Sequence, residues 1–184
     1  MQYVSNLIVF LTSFLTPIAH GDSTDGRWLL IDTGKLTLQV MQAGQAELTL
    51  QNIAIGRFGT SADKRRADNT TPLGRYRITK IEADSAFHRF IGLDYPGIEQ
   101  AEAAYREGAI GKPEYQAILR AHREGLAPPQ NTALGGHIGI HGLGQGDPRW
   151  HETLNWTRGC IALTNDQIDT LMSWVRAGMI VEIR

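Results

Sequence analysis

Along most of this chain hydrophobic and polar residues alternate. Helical spacing is confined to a middle stretch and to one segment near the C-terminus. After Arg27 come three strand-like runs, Trp28–Asp32, Lys35–Met41 and Ala46–Ile55. In the second, Leu36, Leu38 and Val40 alternate with polar residues, which places them on one half-buried face. Thr33-Gly34 and Ala43-Gly44 supply turns short enough to make the runs antiparallel neighbours. A polar stretch from Gly59 to Thr71 reads as an exposed loop. Pro72-Leu73-Gly74 then turns into a strand at Tyr76–Ile81, and Ala86–Leu93 is a further strand.

Between residues 97 and 130 the pattern becomes helical. Ile98 to Glu107 is a weak helix. Pro113 suits a first helical turn, Tyr115, Ile118, Leu119 and His122 follow at helical spacing, and Gly125 is the stop. Pro128-Pro129 forces an extended return. The segment is too short to bury its own core, so it reads as a helical insertion into a β domain. Its position suggests a lid or groove wall beside the site described below. His137-Ile138-Gly139-Ile140-His141 alternates as a strand. Thr164-Asn165-Asp166-Gln167 is a capping box that opens a helix running to about Ala177. Gly178 stops it, and Met179–Ile183 is the last strand. The expected fold is mainly β, a sandwich or barrel with a helical insertion and a C-terminal helix–strand.

The 184 residues suffice for one domain with a sizeable core. A net charge of −1 gives no field that would select nucleic acid or an anionic membrane as partner. Lys64-Arg65-Arg66 reads as solvated loop. Leu7–Leu15 is apolar but too short for an ordinary membrane span, and Ala19-His20-Gly21 could serve as a small-x-small cleavage site. Residues 1–21 are therefore expected to be a signal peptide and 22–184 the exported domain, with no integral membrane association after cleavage. Residues 1–6 carry no Lys or Arg, which keeps a buried strand or helix, or an uncleaved anchor, open.

Export makes the single cysteine, Cys160, notable. In an oxidising compartment it has no partner for an internal disulfide. It is either a small buried core residue or a reactive thiol. A reactive thiol needs a base, and histidine is the usual one. His137 and His141 lie upstream. On a strand they would stand ~13 Å apart at about 3.3 Å per residue, too far to share a metal. Neither a metal nor an organic cofactor is called for. His141 is the better base, because Gly142 after it lets the backbone approach closely. Gly159 before Cys160 leaves the thiol uncrowded, and the N–H groups of Gly159 and Cys160 could line an oxyanion site. Trp150 and Trp156 flank the intervening loop around Asp147-Pro148. One of them could stack on substrate. Arg149, Arg89 and His88 are candidate carboxylate binders or solvated surface.

His141-Gly142, a loop, and Thr157-Arg158-Gly159-Cys160-Ile161 together resemble the signature of the L,D-transpeptidase family, the YkuD-like catalytic domain. Thr71-Pro72-Leu73-Gly74-Arg75-Tyr76-Arg77-Ile78 looks like a segment such domains carry upstream. The resemblance runs from about Trp28 to Arg184, apart from the helical insertion. It implies a periplasmic or cell-envelope enzyme acting on peptidoglycan stem peptides. By matching position, Cys160 would be the nucleophile, His141 its base and the Gly142 carbonyl the group orienting that base. Gly159 and Cys160 would hold the oxyanion, and Arg158, Thr157, His137 and Trp156 would shape or bind the substrate. The acceptor would be an amine, or water in a carboxypeptidase or amidase. Thr157-Arg158 where many members have Ser-His, and Ala162 where many have Arg or Asn, look like the subgroup that includes peptidoglycan–lipoprotein amidases, so an envelope lipoprotein is a further possible partner. A non-catalytic wall-binding module is the alternative of a different class.

Overall fold

The first three strands follow from their alternating pattern. β1 (Trp28–Asp32), β2 (Thr37–Gln42) and β3 (Gln45–Gln51) make an antiparallel meander. Ala43 and Gly44 turn between the last two with φ of 49° and 81°, the positive-φ pair that two-residue hairpins use. Residues 26–184 are described by this computed structural model. The expected signal peptide at 1–21 lies outside the described residues.

The segment from Gly59 to Thr71 is more folded than its polarity suggests. β4 (Thr60–Ser61) pairs with β5 (Thr71–Pro72), and Lys64 and Thr71 are buried. The Lys64 ammonium is held by Asp68 at 2.6 Å, which offsets its burial. β6 (Gly74–Ser85) and β7 (His88–Leu93) form a long hairpin, longer at both ends of its first strand than Tyr76–Ile81. Two helices follow, α1 (Ile98–Arg106) and α2 (Lys112–Glu124), and α2 ends at Gly125 with φ of 68°. Ala101, Ala104 and Ile118 join the main hydrophobic core, so the insertion packs onto the β domain. His122 on α2 donates to the Pro96 carbonyl at 2.7 Å and faces Asp94 at 3.4 Å.

The expected strand at His137–His141 shortens to β8 (Gly139–His141). His137 has φ of 56° and is exposed, so it lies outside the strand that carries His141. The reason is local: Gln130 Oε1 accepts the His137 N–H at 2.5 Å and bends the chain there. The expected loop around Asp147-Pro148 contains a short helix, α3 (Pro148–Thr153), which Asp147 caps by accepting from the Arg149 N–H. β9 (Ile161–Ala162) follows Cys160 directly. The capping box of α4 (Asn165–Met172) forms as expected. The helix stops short of Ala177, because the Trp174 N–H turns back to the Leu171 carbonyl and tightens the last turn. β10 (Ile180–Ile183) completes the chain.

Eight of these strands make one mixed sheet, in the order β3-β2-β1-β10-β6-β7-β8-β9. The last strand thus sits centrally, parallel to β1 and antiparallel to β6. The chain just after β3 meets β9 through an isolated bridge, Ala54 to Ala162. The sheet therefore curls like a sandwich without closing into a barrel. Leu29, Ile31, Leu38, Val40, Ile78, Ile91, Ile140 and Val181 fill its interior. Among the described residues no helix is long and apolar enough to cross a membrane.

Candidate active site

Parallel pairing of β8 and β9 brings the two motifs together. Ile140 stands opposite Ile161, and His141 opposite Ala162. Alternation along both strands then puts residue 160, immediately before β9, on the His141 side. Cys160 and His141 line one groove of about 980 Å³, with Trp156, Thr157, Arg158, His137 and Ile138. The sequence motif is thus one spatial site.

His141 is held by its surroundings. Its Nδ1 is 2.7 Å from the Gly142 carbonyl, so Nδ1 carries the proton and Nε2 is left as the basic nitrogen. Phe87 lies against the ring with centroids 4.4 Å apart, Phe90 is stacked at 6.4 Å, and Trp156 meets its edge at 5.9 Å. Burial lowers the His141 pKa below the ordinary histidine value, against the raising effect of the Gly142 carbonyl. The ring is neutral at pH 7, as a proton acceptor must be. The space beside Gly139 is taken by the Phe90 ring and the Ile91 carbonyl.

Cys160 is partly exposed. Its Sγ donates to the His137 carbonyl at 3.3 Å. Burial pushes the thiol up to about 11, while the Gly139 N–H and the Lys64 charge pull it partly back. The resting pair is thiol and neutral imidazole, not the low-pKa thiolate that rapid labelling near neutral pH would require. Gln130 extends this arrangement to the end of the helical insertion. It accepts the His137 N–H and donates to the carbonyls of Tyr95 and Pro128. It thereby fixes the loop whose carbonyl accepts the thiol hydrogen bond.

The turn before Cys160 is locked by Thr157. Its buried hydroxyl donates to the Cys160 carbonyl at 2.6 Å and accepts the Gly159 N–H at 3.1 Å. The Gly159 N–H is therefore occupied and unavailable to an oxyanion, unlike the expected pair. Gly159 has φ of 130°, and a Cβ there would lie 2.6 Å from the Thr70 carbonyl oxygen. Only glycine fits.

Other expected residues are placed differently. His88 Nε2 and Arg89 Nε each meet Asp169 at 2.8 Å, and Arg149 meets Asp147 at 2.7 Å, so all three are engaged within the protein. Trp150 is exposed and does not line the groove, whereas Trp156 does. Nor does any residue of α1 or α2 line it. The tip of the β6–β7 hairpin, from Lys80 to Phe87, supplies one wall of the groove. Sequence reading missed Phe87 and Phe90, although Phe90 alternates with the buried Ile91 in a run already read as a strand.

The family model of the L,D-transpeptidase catalytic domain (YkuD) matches residues 26–183. Among solved structures, the chain is similar to the helical cell shape determining protein Pgp2 from Campylobacter jejuni, at 20% identity and a TM-score of 0.58. It is similar also to Bd1075 from Bdellovibrio bacteriovorus, at 18% identity and 0.54. In both cases 86% of this chain is covered and 47% of the other, so the chain spans about half their length. An L,D-transpeptidase from Xylanimonas cellulosilytica matches at 17% identity and 0.50, covering 88% of this chain and 62% of the other. No curated protein matches by sequence. At these identities the structures establish a shared fold.

Proposed function

The chain belongs to the L,D-transpeptidase catalytic-domain family, and on that footing we propose that it is a cysteine-dependent acyltransferase of the cell envelope acting on peptidoglycan stem peptides. The observation that carries this reading is the shared groove of Cys160 and His141, with His141 Nδ1 tied to the Gly142 carbonyl. As the thiol attacks the carbonyl between an L-centred diamino acid and terminal D-Ala, its proton passes to His141 Nε2 and a C–S bond forms. The tetrahedral oxyanion is stabilised by the Cys160 N–H, since Gly159 is engaged elsewhere. The C–N bond then breaks, His141 returns the proton to the departing amine, and D-Ala leaves. A thioester remains on Cys160. An incoming amine attacks the thioester and gives up its proton to His141, a C–N bond forms as the C–S bond breaks, and His141 returns the proton to the Cys160 sulfur.

Water as acceptor is the second reading, an L,D-carboxypeptidase or a peptidoglycan–lipoprotein amidase. What favours it is that no residue of α1 or α2 lines the groove, so neither helix shields a thioester from water. Incubation with disaccharide-tetrapeptide, followed by mass spectrometry of the products, tests both. Released D-Ala with cross-linked dimers, absent with Cys160→Ala, supports transfer. Released D-Ala with free tripeptide alone supports hydrolysis. Substrate left intact by the wild type refutes transfer and carboxypeptidase action on this donor and leaves the amidase, acting on a lipoprotein–peptidoglycan linkage, or the wall-binding module.

A further inference from the structure

The Cys160 groove does not end at Cys160. A second cavity of about 560 Å³ adjoins it, and Arg57, Gly136, His137 and Arg158 line both. Arg66 and Lys64 complete its wall, together with the amide side chains of Asn69, Gln130 and Asn131. Among the described residues no Asp or Glu lines it. The Lys64 charge is taken up by Asp68 at 2.6 Å. Arg66 spends only its Nε, on the Thr132 carbonyl at 2.8 Å. The guanidinium groups of Arg57 and Arg158 have no hydrogen-bond or ion-pair partner among the described residues, although Arg57 is fixed through its backbone, donating to the Thr157 carbonyl at 3.0 Å.

Three arginines from three chain segments therefore converge on one concavity with no internal counter-charge. Like-charge crowding of this kind is unfavourable unless an anion joins it. The planar, multidentate donors suit carboxylate. The run Lys64-Arg65-Arg66, read from sequence as solvated loop, contributes two residues to this wall because β4 and β5 fold it back towards Cys160.

We propose that the cavity bounded by Arg57, Arg66 and Arg158 is a carboxylate subsite that anchors the donor peptide beside Cys160. The inference rests on the functional reading above and sharpens it: the preferred donor carries a free carboxylate close to the scissile amide. Two groups on such a donor qualify, the terminal α-carboxylate of the leaving D-residue and a side-chain carboxylate on the diamino acid. Anchoring the first makes the enzyme act at free carboxyl termini. Anchoring the second selects the diamino acid.

The test uses three disaccharide-tetrapeptides: the parent with both carboxylates, one with a C-terminal carboxamide, and one with the diamino-acid carboxylate amidated. Binding to the Cys160→Ser protein by calorimetry reads the subsite whether or not the wild type turns the donor over. Turnover by the wild type separately reads the functional proposal. The parent should lose about tenfold or more in affinity when Arg57→Gln or Arg66→Gln is introduced, the amount expected for a charge-assisted pair. One amidated donor should bind about as weakly as the parent binds the variants, and should be insensitive to them. Which one it is identifies the anchored carboxylate. Wild-type turnover with equal binding of all three donors would overturn the subsite and leave the activity standing. Arg57→Gln is the more telling variant, since the Arg57 guanidinium has no hydrogen-bond or ion-pair partner among the described residues, and Arg66→Gln adds the lost Thr132 contact. If both bind the parent as tightly as the unsubstituted chain, the proposal is wrong.

Discussion

At the residue scale, the reaction starts from a neutral thiol and a neutral imidazole that line one groove. His141 is depressed by burial and Cys160 is raised to about 11. The acid limb of kcat/KM should therefore have an apparent pKa below 6.5, since activity is lost only as His141 gains its proton. Labelling of Cys160 by iodoacetamide should be slow at pH 7 and rise towards pH 11. A labelling limb well below pH 8.5 would instead point to a thiolate–imidazolium pair. Thr157 gives a second prediction. Thr157→Val removes the hydroxyl that ties the Cys160 carbonyl to the Gly159 N–H, at a cost of about 1–3 kcal/mol in stability. It should lower kcat more than it raises KM, and Thr157→Ser should restore most of the loss. A variant with unchanged kcat would show that the turn needs no such tie. Cys160, His141 and Gly142 were legible from sequence because they carry a spaced motif. The occupied Gly159 N–H was not, because it depends on where one hydroxyl points within a tight turn.

At the element scale, α2 is clipped to the sheet by a buried pair, His122 and Asp94, with side chains 10% and 9% exposed. Desolvation opposes charge on His122, yet the hydrogen bonds to Asp94 and Pro96 prevail and raise its pKa. A raised pKa means that the stabilisation is complete below the unfolded value of 6.5 and is lost as pH rises through the folded one. The melting temperature should thus decline with pH above 6.5 in the wild type, and the decline should flatten in His122→Gln. An equal slope in both proteins would remove His122 from the account. The helices α2 and α4 were readable from their caps and spacing, Thr164 with Gln167 most directly, whereas the short α3 was not. The shortened β8 was not, because the residue that breaks it, Gln130, lies seven positions upstream and acts through its side chain.

At the scale of the whole molecule, long-range pairing builds the site. The C-terminal strand lies between β1 and β6, and the Cys160 and His141 motifs meet because β8 and β9 run parallel. Alternation marks each strand as half-buried but says nothing of its neighbours, so the mainly β class was legible while the order of the sheet was not. The walls of the groove were hidden for the same reason: they depend on which strands and loops come together beside Cys160. The most direct test of the central claim is the intact mass of the protein quenched in acid during turnover of disaccharide-tetrapeptide. The account predicts an adduct equal to the donor less D-Ala, mapping to the peptide that contains Cys160, labile to hydroxylamine and absent from Cys160→Ala. Release of D-Ala at an undiminished rate by Cys160→Ala would contradict it.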